Sequence, residues 1–441
     1  NCVILWYNLV KITKYYWEVV MFIELKEFLI DYKRILKKEL TSLPLCAAEN
    51  ISSDFVRLPQ TTFLQEKYIL GGIEKYENEN NFHGSENLFA IYEHINKQCY
   101  KQFGCKYADA RTLSGLNAVT TLLMSLFKIG DTIYVTSPEY GGHSSMAIIC
   151  ERLGLKIKYL PYNYFENDFD YNEINNNIKL NKISGILIAL SDMIEQPALY
   201  KLELDNTILL YDATQILGLI ACEYLQNPFE WFNDNDNVIV FGATHKTIAG
   251  PTCGLIMTNN LDIAKKIDLQ INPNYLRNIQ LNNVVSLLFS LYEIQYYGKE
   301  YFNVMNNLIN ATAKELEKTH IKVLKTKNGN FSDTHQLWLT LTEKQLSNLE
   351  TNANLYGVSL NVRKRKIYND NGVRLGFQQV AHFNWQESVG KIIADIILEL
   401  TKSNCSRHTI KKLMEKLPEK IIHFTFDDDT IKATFAELHN C

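Results

Sequence analysis

No one sign of charge dominates this chain. Its 45 Lys and Arg stand against 49 Asp and Glu, for a formal net charge of -4. That balance argues against a polyanion-binding role, since nucleic-acid binders carry a basic stripe. Nine cysteines are present, but none is paired by spacing. Without a CxxC pair or a Cys/His group at metal-ligand spacing, no metal site is expected, and a disulfide framework is disfavoured. Scattered thiols fit a reducing cytoplasm. Long uncharged apolar runs are missing too. Residues 1–20 come nearest, but Lys11 and Lys14 interrupt them, and no small-residue cleavage site follows. Neither a membrane span nor a secretion signal is therefore expected. Met21 comes next, so residues 1–20 read as an upstream artefact or as an arm that packs on a partner subunit. Repeats and low-complexity linkers are also absent.

What is present is enough for a sizeable core. Hydrophobic residues make up 46% of the 441, a length that points to two domains with terminal extensions. Residues 21–60 read as an N-terminal helical arm, its first twenty amphipathic with alternating charge on the polar face. Between about 105 and 260, short β-branched runs alternate with helical patterns. The expected strands are 133–137, 156–162, 185–191, 207–213, 237–244 and 254–258. Continuous apolar strands separated by helices predict an α/β fold with a mostly parallel sheet covered on both faces. These residues belong to a large domain expected over 61–280. A long helical stretch (280–318) and several short strands then predict a smaller α+β domain over 281–402. The extension, 403–441, is expected to add a helix and a strand.

Chemistry is concentrated at the strand ends. Ala243-Thr244-His245-Lys246-Thr247 follows a buried strand, and a lone lysine there would read as a surface residue. About thirty residues earlier, another strand ends in Asp212-Ala213-Thr214-Gln215. A carboxylate buried at a strand end is costly unless paired, and a pyridinium nitrogen is a suitable partner; on its own Asp212 would read as a helix cap. Ser114-Gly115-Leu116-Asn117 opens a helix whose N–H groups can cradle a phosphate. Gly141-Gly142-His143 follows a strand and offers an imidazole to a planar ring. Arg374, within Gly372–Gly376, can take a carboxylate through two parallel hydrogen bonds. Each residue alone has a bland reading; the collinear set is specific.

At these positions the sequence resembles the serine hydroxymethyltransferase family, from about residue 43 to 400. Leu45–Asn50 resembles the family's LIASEN, and Phe103-Gly104 and Ser114-Gly115 match its phosphate-loop region. Gly141–His143 matches GGH, while Asp212–Gln215 stands at DMAH. Thr244–Thr247 with Gly250-Pro251 matches THKT-x-x-GP, Ser332–His335 resembles TDNH, and Gly372–Gly376 resembles GIRVG. The resemblance implies fold type I and pyridoxal 5'-phosphate, with Lys246 as the Schiff-base lysine, Asp212 on the ring nitrogen and His143 stacked on the ring. It implies further cofactor contacts from Ser114, Gly115, Leu116, Ser191, Gln215, Thr244 and His245. Arg374, Ala48 and Tyr68 fall on the substrate side, and a homodimer is implied.

The departures bear on the reaction. Ala48 replaces a serine, as does Leu116, and Gln215 replaces a histidine. The segment that supplies a tyrosine and a glutamate across the dimer aligns either at Lys67-Tyr68 or at Tyr76 with Glu77 or Glu79. Ile271-Asn272-Pro273-Asn274-Tyr275 replaces a glycine-rich loop. The folate-contacting asparagine region reads Asn361-Val362-Arg363-Lys364-Arg365-Lys366, a run taken as a solvated turn, with a face towards an anionic substrate as the alternative. The expected activity is aldol or retro-aldol chemistry on glycine, serine or threonine-like amino acids through an external aldimine. An aldehyde acceptor ranks above tetrahydrofolate. The alternatives are an aminotransferase and a catalytically inactive homologue with a binding role.

Overall fold

The computed structural model describes residues 23–69, 84–164, 166–181, 183–232 and 235–439. The central sheet has seven strands: β1 (Tyr107–Thr112), β2 (Thr132–Val135), β3 (Lys156–Tyr159), β4 (Gly185–Ala189), β5 (Ile208–Asp212), β6 (Val238–Ala243) and β7 (Gly254–Thr258). Their order across the sheet is β1-β7-β6-β5-β4-β2-β3, and β7 alone runs against the others. Every residue of β4, β6 and β7 is buried. Side chains alternate across a strand, so both faces need cover. Leu187, Leu210, Ile239 and Phe241 share one core with Ala118, Val119 and Leu122. Ile186, Ile188, Leu209, Tyr211 and Val240 belong to the other, with Leu287 and Leu291.

Six helices matter to the argument: α1 (residues 23–41), α2 (Gly115–Leu126), α3 (Leu281–Glu317), α4 (Ser388–Leu400), α5 (Arg407–Met414) and α6 (Asp428–His439). At 37 residues, α3 is about 55 Å long and packs against both halves of the molecule. Beyond it stands a second sheet of four antiparallel strands: β8 (Lys322–Val323), β9 (Gln336–Thr340), β10 (Asn361–Arg363) and β11 (Gly372–Gly376), in the order β8-β9-β11-β10. The incoming chain is pinned beside it, because Leu43–Pro44 pairs with Val358–Ser359 and the Gly376 amide donates to Leu45 O at 2.8 Å.

Each of the six expected strands of the central sheet is present: 254–258 is matched end to end, the first begins one residue early at Thr132, and the other ends are trimmed by up to three residues. The extension differs from expectation. It forms two helices, α5 and α6, while residues 418–424 are not a strand. The segment lies alongside the end of a short helix instead of a free strand edge. It is tied there by the His423 amide on His382 O at 3.1 Å and by the buried Phe424.

Candidate active site

The parallel strands β2, β4, β5 and β6 deliver their carboxyl ends to one edge, where α/β sheets carry their ligands. Asp212 closes β5, in register with Ala189 of β4 and Phe241 of β6. Ala243 closes β6, and Thr244-His245-Lys246 turns away from it. This turn is tightly held. Thr244 Oγ1 donates to Pro251 O at 2.7 Å, and Asn50 Nδ2 donates to Lys246 O at 2.6 Å. Gly218 packs against Thr247, so an added Cβ would lie 2.3 Å from Thr247 O.

The helix of the expected phosphate cradle starts where the sequence placed it. Ser114 caps α2, its Oγ accepting the Asn117 amide at 3.2 Å. A Cβ at Gly115 would stand 3.0 Å from Ala243 N, so a larger residue would push this helix end a few tenths of an ångström off the strand that leads to Lys246. Leu116 is 44% exposed and offers no hydroxyl. Tyr275, from the segment replacing the glycine-rich loop, accepts from Asn117 Nδ2 at 3.3 Å.

His143 is half-buried. Its amide donates to Ala189 O at 2.8 Å, and its Nδ1 accepts the Ser145 amide at 3.2 Å. That bond leaves the proton on Nε2. Burial, reinforced by Lys246, Arg365 and Arg363 against Asp212, lowers its pKa and keeps the ring neutral. The glycines before it fix the turn: Gly141 has φ +90°, and a Cβ at Gly142 would lie 2.5 Å from Thr136 O.

Burial pushes the two central groups towards neutrality. The Lys246 ammonium has its pKa lowered to about 8, first by burial, then by Arg374, with Asp212 opposing. Asp212 is raised by burial, with Thr214, Lys246 and His143 opposing. Its Oδ1 accepts the Thr214 amide at 2.9 Å. His245 is lowered to about 4 by burial and by Lys246, against a hydrogen bond to the Ala48 backbone.

Arg374 arrives from β11 of the second sheet and is 2% exposed. Its Nη1 donates to Ser191 O, and its Nη2 donates to Asn361 Oδ1 at 2.8 Å. Gln336 Nε2 joins the same point, donating to Ser191 O and to Gln215 Oε1, both at 3.1 Å. Ser191, Gln215 and Arg374 are thus tied together through one glutamine that the sequence reading missed. Gln336 follows directly on the Ser332–His335 motif, which was the available signal. Asp192, also missed, lies buried beside Ser191 and receives Arg363 Nε at 2.9 Å, Arg365 Nη1 and Tyr368 OH at 3.1 Å. The basic run is therefore only half a solvated turn: Lys364 and Lys366 are exposed, whereas Arg363 and Arg365 fold inward. Ala48 is half-buried next to Ala47, whose carbonyl lies 3.2 Å from His335 Nε2. Tyr68 is in the coil after the turn Phe63–Gln65. The alternative candidates Tyr76, Glu77 and Glu79 lie outside the described residues, as do residues 1–22.

A family model for serine hydroxymethyltransferase matches residues 25–397. The chain belongs to the serine hydroxymethyltransferase family. Relatives named serine hydroxymethyltransferase include one from Archaeoglobus fulgidus, 27% identical over 405 residues (88% of this chain, 90% of the relative). Another, from Orientia tsutsugamushi, is 28% identical over 413 residues (88% and 93%). Among solved structures, an L-threonine transaldolase from Pseudomonas fluorescens in its internal aldimine state has a TM-score of 0.84 at 20% identity, covering 93% of this chain and 96% of that one. As a member of the serine hydroxymethyltransferase family with the type I fold, the chain is a pyridoxal-phosphate-dependent enzyme. Its own residues fit that cofactor. Asp212 is a buried carboxylate with no salt bridge among the described residues, a costly arrangement that a ring cation relieves. Lys246 is an amine poised near neutrality, and the start of α2 lies against its strand.

Proposed function

We propose that this enzyme makes and breaks the Cα–Cβ bond of glycine-, serine- or threonine-like amino acids. The carrying observation is the convergence of Lys246 and buried Asp212, from neighbouring strands, with Arg374 tied to the end of β4 through Ser191. When bound, pyridoxal phosphate supplies a protonated ring that accepts the electron pair left at Cα. Asp212 would hold the proton on the ring nitrogen. Lys246 Nζ would anchor the cofactor; with its pKa near 8, a useful fraction is the free amine that attack requires. His143 would offer a neutral flat face to the ring, and Ser114 with the first-turn amides of α2 would receive the phosphate. Thr244, His245 and Gln215 frame the lysine turn, and Arg374 takes the substrate α-carboxylate. In the cleavage direction the β-hydroxyl loses its proton, the bonding pair stays on Cα, and Cβ leaves as an aldehyde. Cα then gains a proton, which the Lys246 amine would be placed to move.

We read the acceptor as an aldehyde rather than tetrahydrofolate. Arg363 and Arg365 are turned onto Asp192 in the segment that aligns with the folate-contacting asparagine region. We also read the chain as a cytoplasmic homodimer. The described cysteines are all free thiols, and no described helix is long and apolar enough to cross a membrane. Helix α1 exposes Ile23, Leu25, Phe28, Leu29 and Ile35, apolar surface that a second copy would cover. Incubating the cofactor-loaded enzyme with L-threonine tests the reaction. Glycine and acetaldehyde in equal amounts support it, whereas a 2-oxo acid without acetaldehyde would place the chain among aminotransferases.

A further inference from the structure

Asp192 sits one residue beyond the Ser191 carbonyl that Arg374 grips, and its side chain is fully buried. Three guanidiniums converge on it: Arg363 Nε at 2.9 Å, Arg365 Nη1, and Arg374 Nη1 at 3.5 Å. One carboxylate therefore faces three cations. The nearby acid Glu139 is engaged elsewhere, by Lys366 at 2.5 Å. Excess buried charge of one sign is expensive. The α-carboxylate expected on Arg374 compensates one guanidinium, and a second is left over.

The two outer arginines are built to receive something. Asp192 occupies Nε of Arg363 and Nη1 of Arg365, which leaves other N–H donors on each planar fork. Their side chains remain 22% and 15% exposed, against 3% for Arg374. Both lie near enough to His143, and Arg363 to Lys246, to add weakly to the positive charge around them.

We propose that Arg363 and Arg365, held in place by Asp192, bind a second acidic group of the substrate, a carboxylate or a phosphate carried beyond Cβ. This rests on the Cα–Cβ reading above and narrows its substrate class to amino acids with an anionic side chain. Cleavage of 3-hydroxyaspartate would then give glycine and glyoxylate, with the bonding pair on Cα and the β-hydroxyl proton released, as for threonine.

The test compares kcat/KM for cleavage of L-threonine, 3-hydroxyaspartate and 4-phosphorylated 4-hydroxythreonine. The better acid should exceed threonine by about 10- to 100-fold, the range for hydrogen bonds to charged groups, and the identity of that acid separates carboxylate from phosphate. In R363Q/R365Q the acid-to-threonine ratio should fall towards one, with partial recovery in R363K/R365K. Where threonine is cleaved, acids no better than threonine overturn the proposal. So does a glutamine variant that slows all three substrates alike, for that is the mark of arginines that only hold the loop. Calorimetric titration of 3-hydroxyaspartate into wild type and R363Q/R365Q separates this proposal from the reaction itself. Weakening of at least about 10-fold supports the site even if nothing is cleaved, and equal affinity rejects it even if threonine is.

Discussion

Asp212 is buried and Lys246 half-buried beside it, and the loss of solvent acts on them in opposite directions. The lysine loses its proton more readily and the aspartate holds one more tightly, until a cationic ring gives the carboxylate a reason to stay ionised. Two outcomes follow at this scale. Attachment of the cofactor to the apo-enzyme should accelerate as pH rises and level off above about 8, the Lys246 value, because only the free amine attacks; stopped-flow absorbance reads this directly. Asp212→Asn keeps the shape but removes the charge, and turnover should fall by at least about 100-fold, the scale of losing a buried ion partner. A steady-state assay returning near wild-type rates would take Asp212 out of the mechanism. Lys246, Asp212, His143 and Arg374 could be proposed from sequence because each sits in or beside a recognisable short motif. Gln336, Asp192 and the inward turn of Arg363 and Arg365 were not, since their roles depend on contacts across more than 100 residues.

The elements divide in the same way. β4 to β7 announce themselves as apolar runs, but β1 reads Tyr-Ala-Asp-Ala-Arg-Thr, and no hydrophobic pattern marks it. Its charges are buried: Arg111 Nη2 reaches Asp109 and, at 2.5 Å, Asp268. Arg111→Ala would strand two acids and should cost about 3–5 kcal/mol, measured by urea unfolding. At the other end, Glu293 of α3 ties the N-terminal segment to the extension. Its Oε1 accepts Ser53 Oγ at 2.8 Å and Thr425 Oγ1 at 2.6 Å. Burial raises its pKa to about 7, and Tyr297 and Asp427 lie within reach. Because the folded value is raised, this group's contribution to stability is complete below its ordinary 4.5 and is lost as pH rises through about 7. The urea midpoint should fall between pH 5 and 8, and Glu293→Gln should flatten that fall. An unchanged slope in the variant would assign the pH dependence to other groups. The missing strand of the extension shows the limit of pattern reading: an apolar run needs a free edge to pair with, and here it meets a helix end.

At the scale of the molecule, the two sheets meet where β4 ends and Arg374 crosses, so the proposed substrate anchor and the proposed cofactor lysine are positioned by separate elements. The amphipathic pattern of α1 was legible, but the structure leaves that helix uncovered. Replacing Phe28 and Leu29 by Glu should shift the particle from dimer towards monomer in light scattering; a wild type already monomeric would remove the dimer from the account. The central claim, that Lys246 carries pyridoxal phosphate, is tested most directly by absorbance. The reconstituted protein should show a band above 400 nm that borohydride fixes onto Lys246, while Lys246→Ala shows none. A wild type that stays colourless after reconstitution, or a variant that binds and reduces like it, contradicts the account.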